Sequence, residues 1–518
     1  MTRDLIVGLD AGTSVIKAVA FTPEGVQVAA ASVNNRVDHV AEGGAEQDVE
    51  RTWQDAARTL RLLAEQVPAL ATRTAGLAVT GQGDGTWLID AAGAPVAPAW
   101  LWLDARSGAI VDRLRRNGVG EQVARLTGTG LSCSSQSGQL LWLLAHQPEV
   151  LARAATAFHC KDWLYFRCTG ERATDPSEGV FTFGDFRTRD YADAVLALLG
   201  LSSLRRLLPP IVDGTRHHAK LTAAAAKATG LTAGTPVVLA PLDVLCTGLG
   251  AGLYDPARNI GCTILGSTGM HMRLHHRLDD IGFANQVGYT TPFVGGTWVG
   301  MTSNMAASLN IDWLMGAIER GMTDAGVAPP PRRDLLARFD RLAGEAPPGR
   351  VIYHPFIAEA GERGPFVEPK ARAQILGLTD GVSFADILRG IYEGLGFAAR
   401  DCYEAMGHRP EEIRLGGGVA RSPVCRQILA AVLDAPVRLA ARDEAGAAGA
   451  AMVACLALGH YADVAAACAR WVEPALGPPL LPDPALAAKY ARLFEVYRAG
   501  YRGMTGVWHA LDRIRTDA

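Results

Sequence analysis

The chain has 518 residues, enough for two large domains, and 49% of them are hydrophobic against 20% charged, a balance that fills cores and rules out disorder. Its 50 basic and 53 acidic side chains nearly cancel, which excludes a polyanion-binding surface and with it nucleic acid as a partner. The longest apolar stretch, residues 445–458, is Ala-rich and too short to span a bilayer, and the first six residues lack the apolar core of a secretory leader, so no membrane partner is expected.

Residues 5–9 and 17–21 read as two strands around a tight turn. Residues 52–66 have helical spacing, 77–80 form a short buried strand, and 237–240 form another that leads into a helix near Asp243. This alternation is an α/β pattern. The run Gly-Leu-Gly-Ala-Gly-Leu-Tyr-Asp-Pro at 248–256 marks the domain boundary, because its glycines permit backbone angles other residues resist. Just after it, residues 259–272 echo residues 5–17: strand, small hydroxyl-bearing turn, strand. One such hairpin opening each half points to an internal duplication. Ser383 and Asp386 make a capping box before a helix at 387–406. Residues 412–415 form a strand closing on three glycines, and Ser422-Pro423 supplies an N-cap and a first-turn proline. Asp483-Pro484 repeats that signal and opens a helical tail with Tyr490, Leu493, Phe494 and Tyr497 on one side, a core-packing face.

Nine scattered cysteines, odd in number and without a CxxC, fit reduced thiols and a cytoplasmic location. His271, His275 and His276 lie close together, but no HExxH or cysteine pair accompanies them, and no metal site is read there.

The hairpin turns carry the chemistry. Asp10 ends the first strand, where a carboxylate can hold Mg²⁺ through waters, since Mg²⁺ sheds its hydration shell reluctantly. Gly12 lets backbone N–H groups approach phosphate oxygens, and Thr13 and Ser14 add hydroxyl donors. Lys17 either adds positive charge there or lies on the surface. Gly266, Ser267, Thr268 and Gly269 form the opposite jaw of a phosphate grip. No GKS or GKT occurs, which excludes the Walker-type loop. At Gly416, Gly417 and Gly418, with Ser422 following, a flat ring can lie against backbone; a plain strand–helix turn would need only one glycine. These residues are the candidate adenine and ribose site, so ATP and Mg²⁺ are the expected cofactors. Asp243 opens a helix after an apolar strand, where it serves either as a helix cap or as a carboxylate beside a reacting hydroxyl.

Over nearly its whole length the chain resembles the FGGY carbohydrate kinases. The matching pieces are residues 8–14, 80–82, 102–106, 161–164, 169–170 and 174–177 in the first half. In the second half they are 361–365, 393–394 and 416–418, continuing through Gln427 to Glu444. The phrases at 81–90, 159–165 and 172–178 narrow the likeness to short-polyol kinases within the family. The resemblance implies two actin/hexokinase-like (ribonuclease H-like) domains around a cleft. The expected limits are 1–253 for the polyol domain, 254–480 for the ATP domain and 481–518 for a helical extension. It implies Asp243 as catalytic base and, with Asp10, as a Mg²⁺ holder through water. It implies Gln82, Asp84, Trp102, Asp104 and Asp243 as substrate residues, with Arg106 holding Asp104 in place. Gly83-Asp84 stands where glycerol kinases carry Arg-Glu and xylulokinases Met-His, which counts against both substrates. The expected activity is ATP-dependent phosphorylation of a terminal hydroxyl of a short polyol. The alternatives are another sugar of the family (xylulose, a pentitol or glycerol) or a non-catalytic actin-like nucleotide binder. A homodimer is compatible with the sequence.

Overall fold

The computed structural model describes residues 3–281 and 288–516. In the first lobe, β1 (Leu5–Ala11), β2 (Val15–Phe21) and β3 (Gln27–Asn34) form an antiparallel meander. On the other side of β1 lie β4 (Thr74–Gly81) and then β6 (Pro236–Leu239), both parallel to it, with β5 (Ala219–Lys220) at the edge. The sheet order is β5-β6-β4-β1-β2-β3. β1 reads as an almost unbroken apolar run because helices cover both faces of the parallel part. One cover is α1 (Val49–Gln66), started by Asp48 accepting from the Arg51 N–H, with Trp53, Ala56, Leu60 and Leu63 facing inward.

The second lobe repeats the frame. β7 (Ile260–Leu265), β8 (Gly269–His275) and β10 (Trp298–Asn304) are the antiparallel meander, with β9 (Tyr289–Pro292) at the edge. β11 (Glu412–Gly416) and β12 (Val437–Leu439) run parallel to β7, giving the order β9-β10-β8-β7-β11-β12. Read from the other edge, this is the first lobe's arrangement of two parallel strands, the hairpin and a third antiparallel strand. The duplication expected from the two turns is present as a duplicated sheet.

Two helices join the lobes. α4 (Asp243–Ala251) leaves β6, and α8 (Ala445–Ala457) leaves the second sheet and packs on β1 and β4. They cross at backbone distance. A Cβ on Gly449 would stand 1.9 Å from the Cys246 carbonyl oxygen, one on Gly250 2.1 Å from Ala445 O, and one on Gly8 2.2 Å from Ala447 O. The run at 248–256 therefore begins inside a helix and leaves it at Gly252. The helix runs through Gly248 and Gly250, which are glycine for close approach, and only Gly252 (φ +95°) uses the left-handed freedom.

The tail helices α9 (Pro484–Arg502) and α10 (Thr505–Thr516) do not form a separate layer. Tyr490, Phe494, Tyr497, Tyr501 and Trp508 are buried in the second lobe's own core with Phe397 and Leu415. Along one side the lobes are sewn together by backbone: the Thr290 N–H donates to Gly128 O (2.9 Å) and the Gly130 N–H to Gly288 O (3.1 Å). Arg189 donates to the Phe293 and Thr297 carbonyls across the same seam, its guanidinium lying over the Trp298 ring.

Candidate active site

The turn between β1 and β2 is tied to the loop after β4 by side chains. Trp102 Nε1 donates to Thr13 Oγ1 (2.8 Å), and Thr13 Oγ1 donates to Gln82 Oε1 (2.9 Å). Gln82 Nε2 donates to Gln47 Oε1 (2.8 Å), and Gln47 Nε2 returns to Thr13 O (3.0 Å). The phosphate turn and the loop that carries Asp84 therefore hold one position, as a satisfied buried network should.

Asp84 has φ +55°, outside the usual region for a side-chain-bearing residue, and its Oδ1 is buried without a partner. Burial pushes its carboxyl up to about 6, against the pull of the His159 charge, the Ser134 hydroxyl and Arg363. Facing it is Glu178, fully buried on α3 (Pro176–Phe183). Its Oε2 accepts from the Asp84 N–H (3.4 Å) and lies 3.5 Å from His159 Nε2, while Oε1 has no partner. Burial pushes Glu178 up to about 7. A Cβ on Gly83 would fall 2.9 Å from Glu178 Oε1, so Gly83 is what admits Glu178 to this wall.

Beneath these carboxylates lies a closed set of charges. α2 (Cys160–Thr169) begins with a capping box of His159 and Asp162. Lys161 Nζ, wholly buried, bridges Asp162 Oδ1 (2.8 Å) and Asp175 Oδ1 (2.7 Å). Burial alone would raise Asp162, but Lys161 and His159 hold it down at about 2. Asp175 caps α3 and also accepts from Ser177 Oγ, which in turn accepts from the Leu242 N–H (3.0 Å). This strut fixes the residue before Asp243.

Asp243 is the first residue of α4; Leu242 holds the cap position. Burial and then the Asp10 charge push its carboxyl well above the usual range, and Asp10 is itself raised to about 6 by burial. Asp10 Oδ1 is buried without a partner. Two buried carboxylates, one raised by the charge of the other and that other with an orphaned oxygen, fit a shared divalent cation that keeps several waters. Among the described residues no cluster of three or more His, Cys, Asp or Glu could hold a metal by protein ligands alone.

Of the remaining predicted residues, Lys17, Gly416 and Gly417 share a cavity with Asp10. A cavity of about 250 Å³ between the lobes is lined by Asp10, Lys17, Ile264, Gly416, Gly417 and Glu444, among others. Lys17, its side chain partly exposed, pairs with Glu444 of the second lobe at 2.9 Å. Gly417 has φ +87°, and a Cβ there would lie 2.4 Å from Leu265 O. Gly418 has open space around it and Gly416 only an ordinary contact, so the fold demands one glycine of the three. Ser267 stands exposed at the tip of the second hairpin, where the Ser267 and Gly266 carbonyls accept from the Ala307 and Ser308 N–H groups that open α5 (Ser308–Asp324).

The family model for the N-terminal domain of the FGGY family of carbohydrate kinases matches residues 5–250, and that for the C-terminal domain matches residues 261–458. The chain belongs to the FGGY carbohydrate kinases. It is 46% identical over 509 residues, 98% of each chain, to the erythritol kinase of Brucella abortus (strain 2308). To the xylulose kinase of Escherichia coli (strain K12) it is 29% identical, covering 82% of this chain and 84% of that one. Among solved structures, the xylulose kinase from Rhodospirillum rubrum superposes with a TM-score of 0.85 at 27% identity, covering 98% of this chain and 100% of that one. The gluconate kinase from Lactobacillus acidophilus reaches 0.88 at 21% identity, covering 98% and 99%, which shows the shared fold.

Within this FGGY kinase several expected contacts take a different form: the polar groups of Trp102, Thr13 and Gln82 are engaged with one another, and those of Asp104 and Ser422 brace the protein. Asp104 was expected to read substrate, but its oxygens accept from the Ala45 N–H, the Arg106 N–H and the Arg106 guanidinium, and its side chain is fully buried. It braces the loop, and Arg106 holds it as expected. Ser422 was expected at the nucleotide, but its hydroxyl accepts from the Cys425 N–H as the cap of α7 (Pro423–Leu433) and donates to Asp340. His159, Glu178, Tyr289 and Arg363 were not singled out. His159 and Glu178 stand at the edges of quoted phrases, and Arg363 lies inside the 361–365 motif. Tyr289, whose phenol is raised by burial and by Asp84, had no sequence signal.

Proposed function

We propose that the chain transfers the γ-phosphoryl group of ATP to a terminal hydroxyl of a short polyol, converting erythritol to erythritol 4-phosphate. The observation that carries this is the pair of unpartnered carboxylate oxygens, Asp84 Oδ1 and Glu178 Oε1, walling the same end of the cleft as Asp243. Ionised carboxylates only accept hydrogen bonds. The fitting ligand is uncharged and rich in adjacent hydroxyl donors; an anionic sugar acid would be repelled. The kinship with an erythritol kinase along the full chain agrees with that chemistry.

In this reading Asp243 orients the attacking hydroxyl and takes its proton late, as the oxygen–phosphorus bond forms and the bond to the ADP oxygen breaks. The helix N-terminus and the Val244 N–H favour its ionised form. The turns around Thr13 and Ser267 hold the phosphates from opposite lobes, and Gly416 to Gly418 receive the nucleoside. Asp10 and Asp243 would hold Mg²⁺, which neutralises charge on the phosphates when bound. Gln82 and Trp102 fix the geometry of the phosphate turn.

A coupled assay with ATP against erythritol, pentitols, glycerol, xylulose and gluconate tests the reading. Erythritol is expected to lead in kcat/KM by about tenfold or more. A faster ketose or glycerol would replace the substrate, and ATP turnover indifferent to every polyol would remove the activity.

A further inference from the structure

The polyol end of the cleft is walled mainly by the first lobe, which supplies Asp84, Glu178, Trp102 and Ser134. What this wall lacks is a free hydrogen-bond donor of fixed geometry: the Trp102 N–H goes to Thr13, and the His159 ring lies against Asp162 and Glu178. Each hydroxyl of a polyol has a proton to give and lone pairs to fill. Asp84 and Glu178 take protons; neither can donate when ionised. Gly83 cannot supply the donor, because Glu178 occupies the space its side chain would need.

The second lobe supplies one. Arg363 places its guanidinium carbon 5.7 Å from the centre of the Trp102 ring, and its charge acts on Asp84. Its Nε is buried without a hydrogen-bond partner. Among the described residues no ion pair joins Arg363 to Asp84 or Glu178, so a gap separates the donor from the acceptors. The backbone under Arg363 is anchored. Glu362, itself buried, accepts through one oxygen from the N–H groups of Met305 (2.9 Å), Arg363 (2.8 Å) and Gly364 (3.3 Å), and Asn304 donates to Gly364 O (2.6 Å). The guanidinium is thus carried by the end of β10, on the lobe that faces the nucleotide.

We propose that Arg363 is a specificity-determining residue of the polyol site, donating from the nucleotide-side lobe to the hydroxyl oxygens whose protons Asp84 and Glu178 accept, so that a polyol is fully gripped only when the lobes are together. The proposal rests on the polyol-kinase reading above. It gives the closed cleft a substrate requirement: an uncharged ligand with neighbouring hydroxyls fills the gap between the guanidinium and the two carboxylates. Water alone satisfies the same groups without linking the lobes.

The test uses the full-length enzyme with erythritol and ATP varied separately. Arg363→Met is expected to raise the KM for erythritol about 10- to 100-fold, the range for losing a hydrogen bond to a charged group, with the KM for ATP unchanged. Arg363→Lys, which keeps the charge but loses the planar fork, should still raise it about fivefold or more. A deoxy analogue lacking one internal hydroxyl should lose affinity in the wild type and lose less in Arg363→Met. An unchanged erythritol KM in either variant overturns the proposal, as does a parallel rise in the KM for ATP, which would place Arg363 on the phosphates. Should Arg363→Met fail to fold, Arg363→Lys decides alone. Wild-type enzyme inert toward erythritol sinks the polyol reading and this proposal with it; an active wild type with unaffected variants sinks only this proposal.

Discussion

In the first lobe β1 carries Asp10 just before its end at Ala11, and in the second the equivalent strand, β7, ends at Leu265 with Gly266 next in line. Of two turns related by duplication, one carries a carboxylate and the other presents only backbone and hydroxyls. The insertions differ more. Between β4 and β5 the first lobe carries nearly 140 residues that build the wall of Asp84, His159 and Glu178. The second lobe has its long insertion between β10 and β11, and this supplies Arg363 and the long helix α6 (Phe384–Ala405). The sheets preserve a common frame because their parallel strands are buried on both faces, where each substitution meets packed neighbours. Loops hung from strand ends are free to diverge, and the chemistry has diverged with them.

The comparison breaks most sharply at Asp243: it is the first residue of α4, whereas the acidic residue at the start of α8, Glu444, is paired with Lys17. Asp243→Asn is expected to lower kcat by about 10²–10⁴-fold with ATP binding retained, read by steady-state kinetics and by nucleotide titration. Substantial turnover in a folded variant would assign the proton to another group. Next comes the joint between the lobes. Gly449→Val puts a side chain into the Cys246 carbonyl and should cost about 3 kcal/mol or prevent folding, whereas Gly418→Ala, with open space around it, should leave the melting temperature alone and weaken ATP binding instead. Equal melting temperatures for the two would mean that the helix crossing relaxes easily.

The smallest effect expected is on pH-dependent stability. Glu178 binds its proton more tightly folded, with a value of about 7, than unfolded, near the ordinary 4.5. Between those values the folded state holds more protons, so this group lowers stability as pH rises through the window. Glu178→Gln should therefore raise the melting temperature of the unliganded enzyme at pH 8 by about 1–2 °C and leave it unchanged at pH 4. A variant less stable than wild type at pH 8 would show that the carboxylate is satisfied in the folded state.

Much of the frame was legible in the sequence. The two hairpins, the capping box at Ser383, the cap-and-proline pairs at Ser422 and Asp483, and the buried Ala-rich helix all lie where local chemistry places them. Those signals act over a few residues. Gly250 and Gly252 look alike in the sequence because close approach to another helix and a left-handed cap both select glycine, and only Gly250's distant partner, Ala445, separates the two. Asp104 and Ser422 were misassigned for a related reason: a polar residue in a family motif can face a ligand or brace the loop, and its partners, Ala45 and Asp340, lie far away in sequence. Glu178 was overlooked because a glutamate in the first turn of a helix is ordinary until its burial is known.

The seam where Gly128 and Gly130 meet Gly288 and Thr290 bears on attempts to recombine relatives of this enzyme. These bonds join main chain to main chain, so they tolerate a change of side chains and would let a hybrid assemble from the halves of two kinases. Such a hybrid would inherit one parent's acceptors and the other's guanidinium, and its taste in sugars would belong to neither.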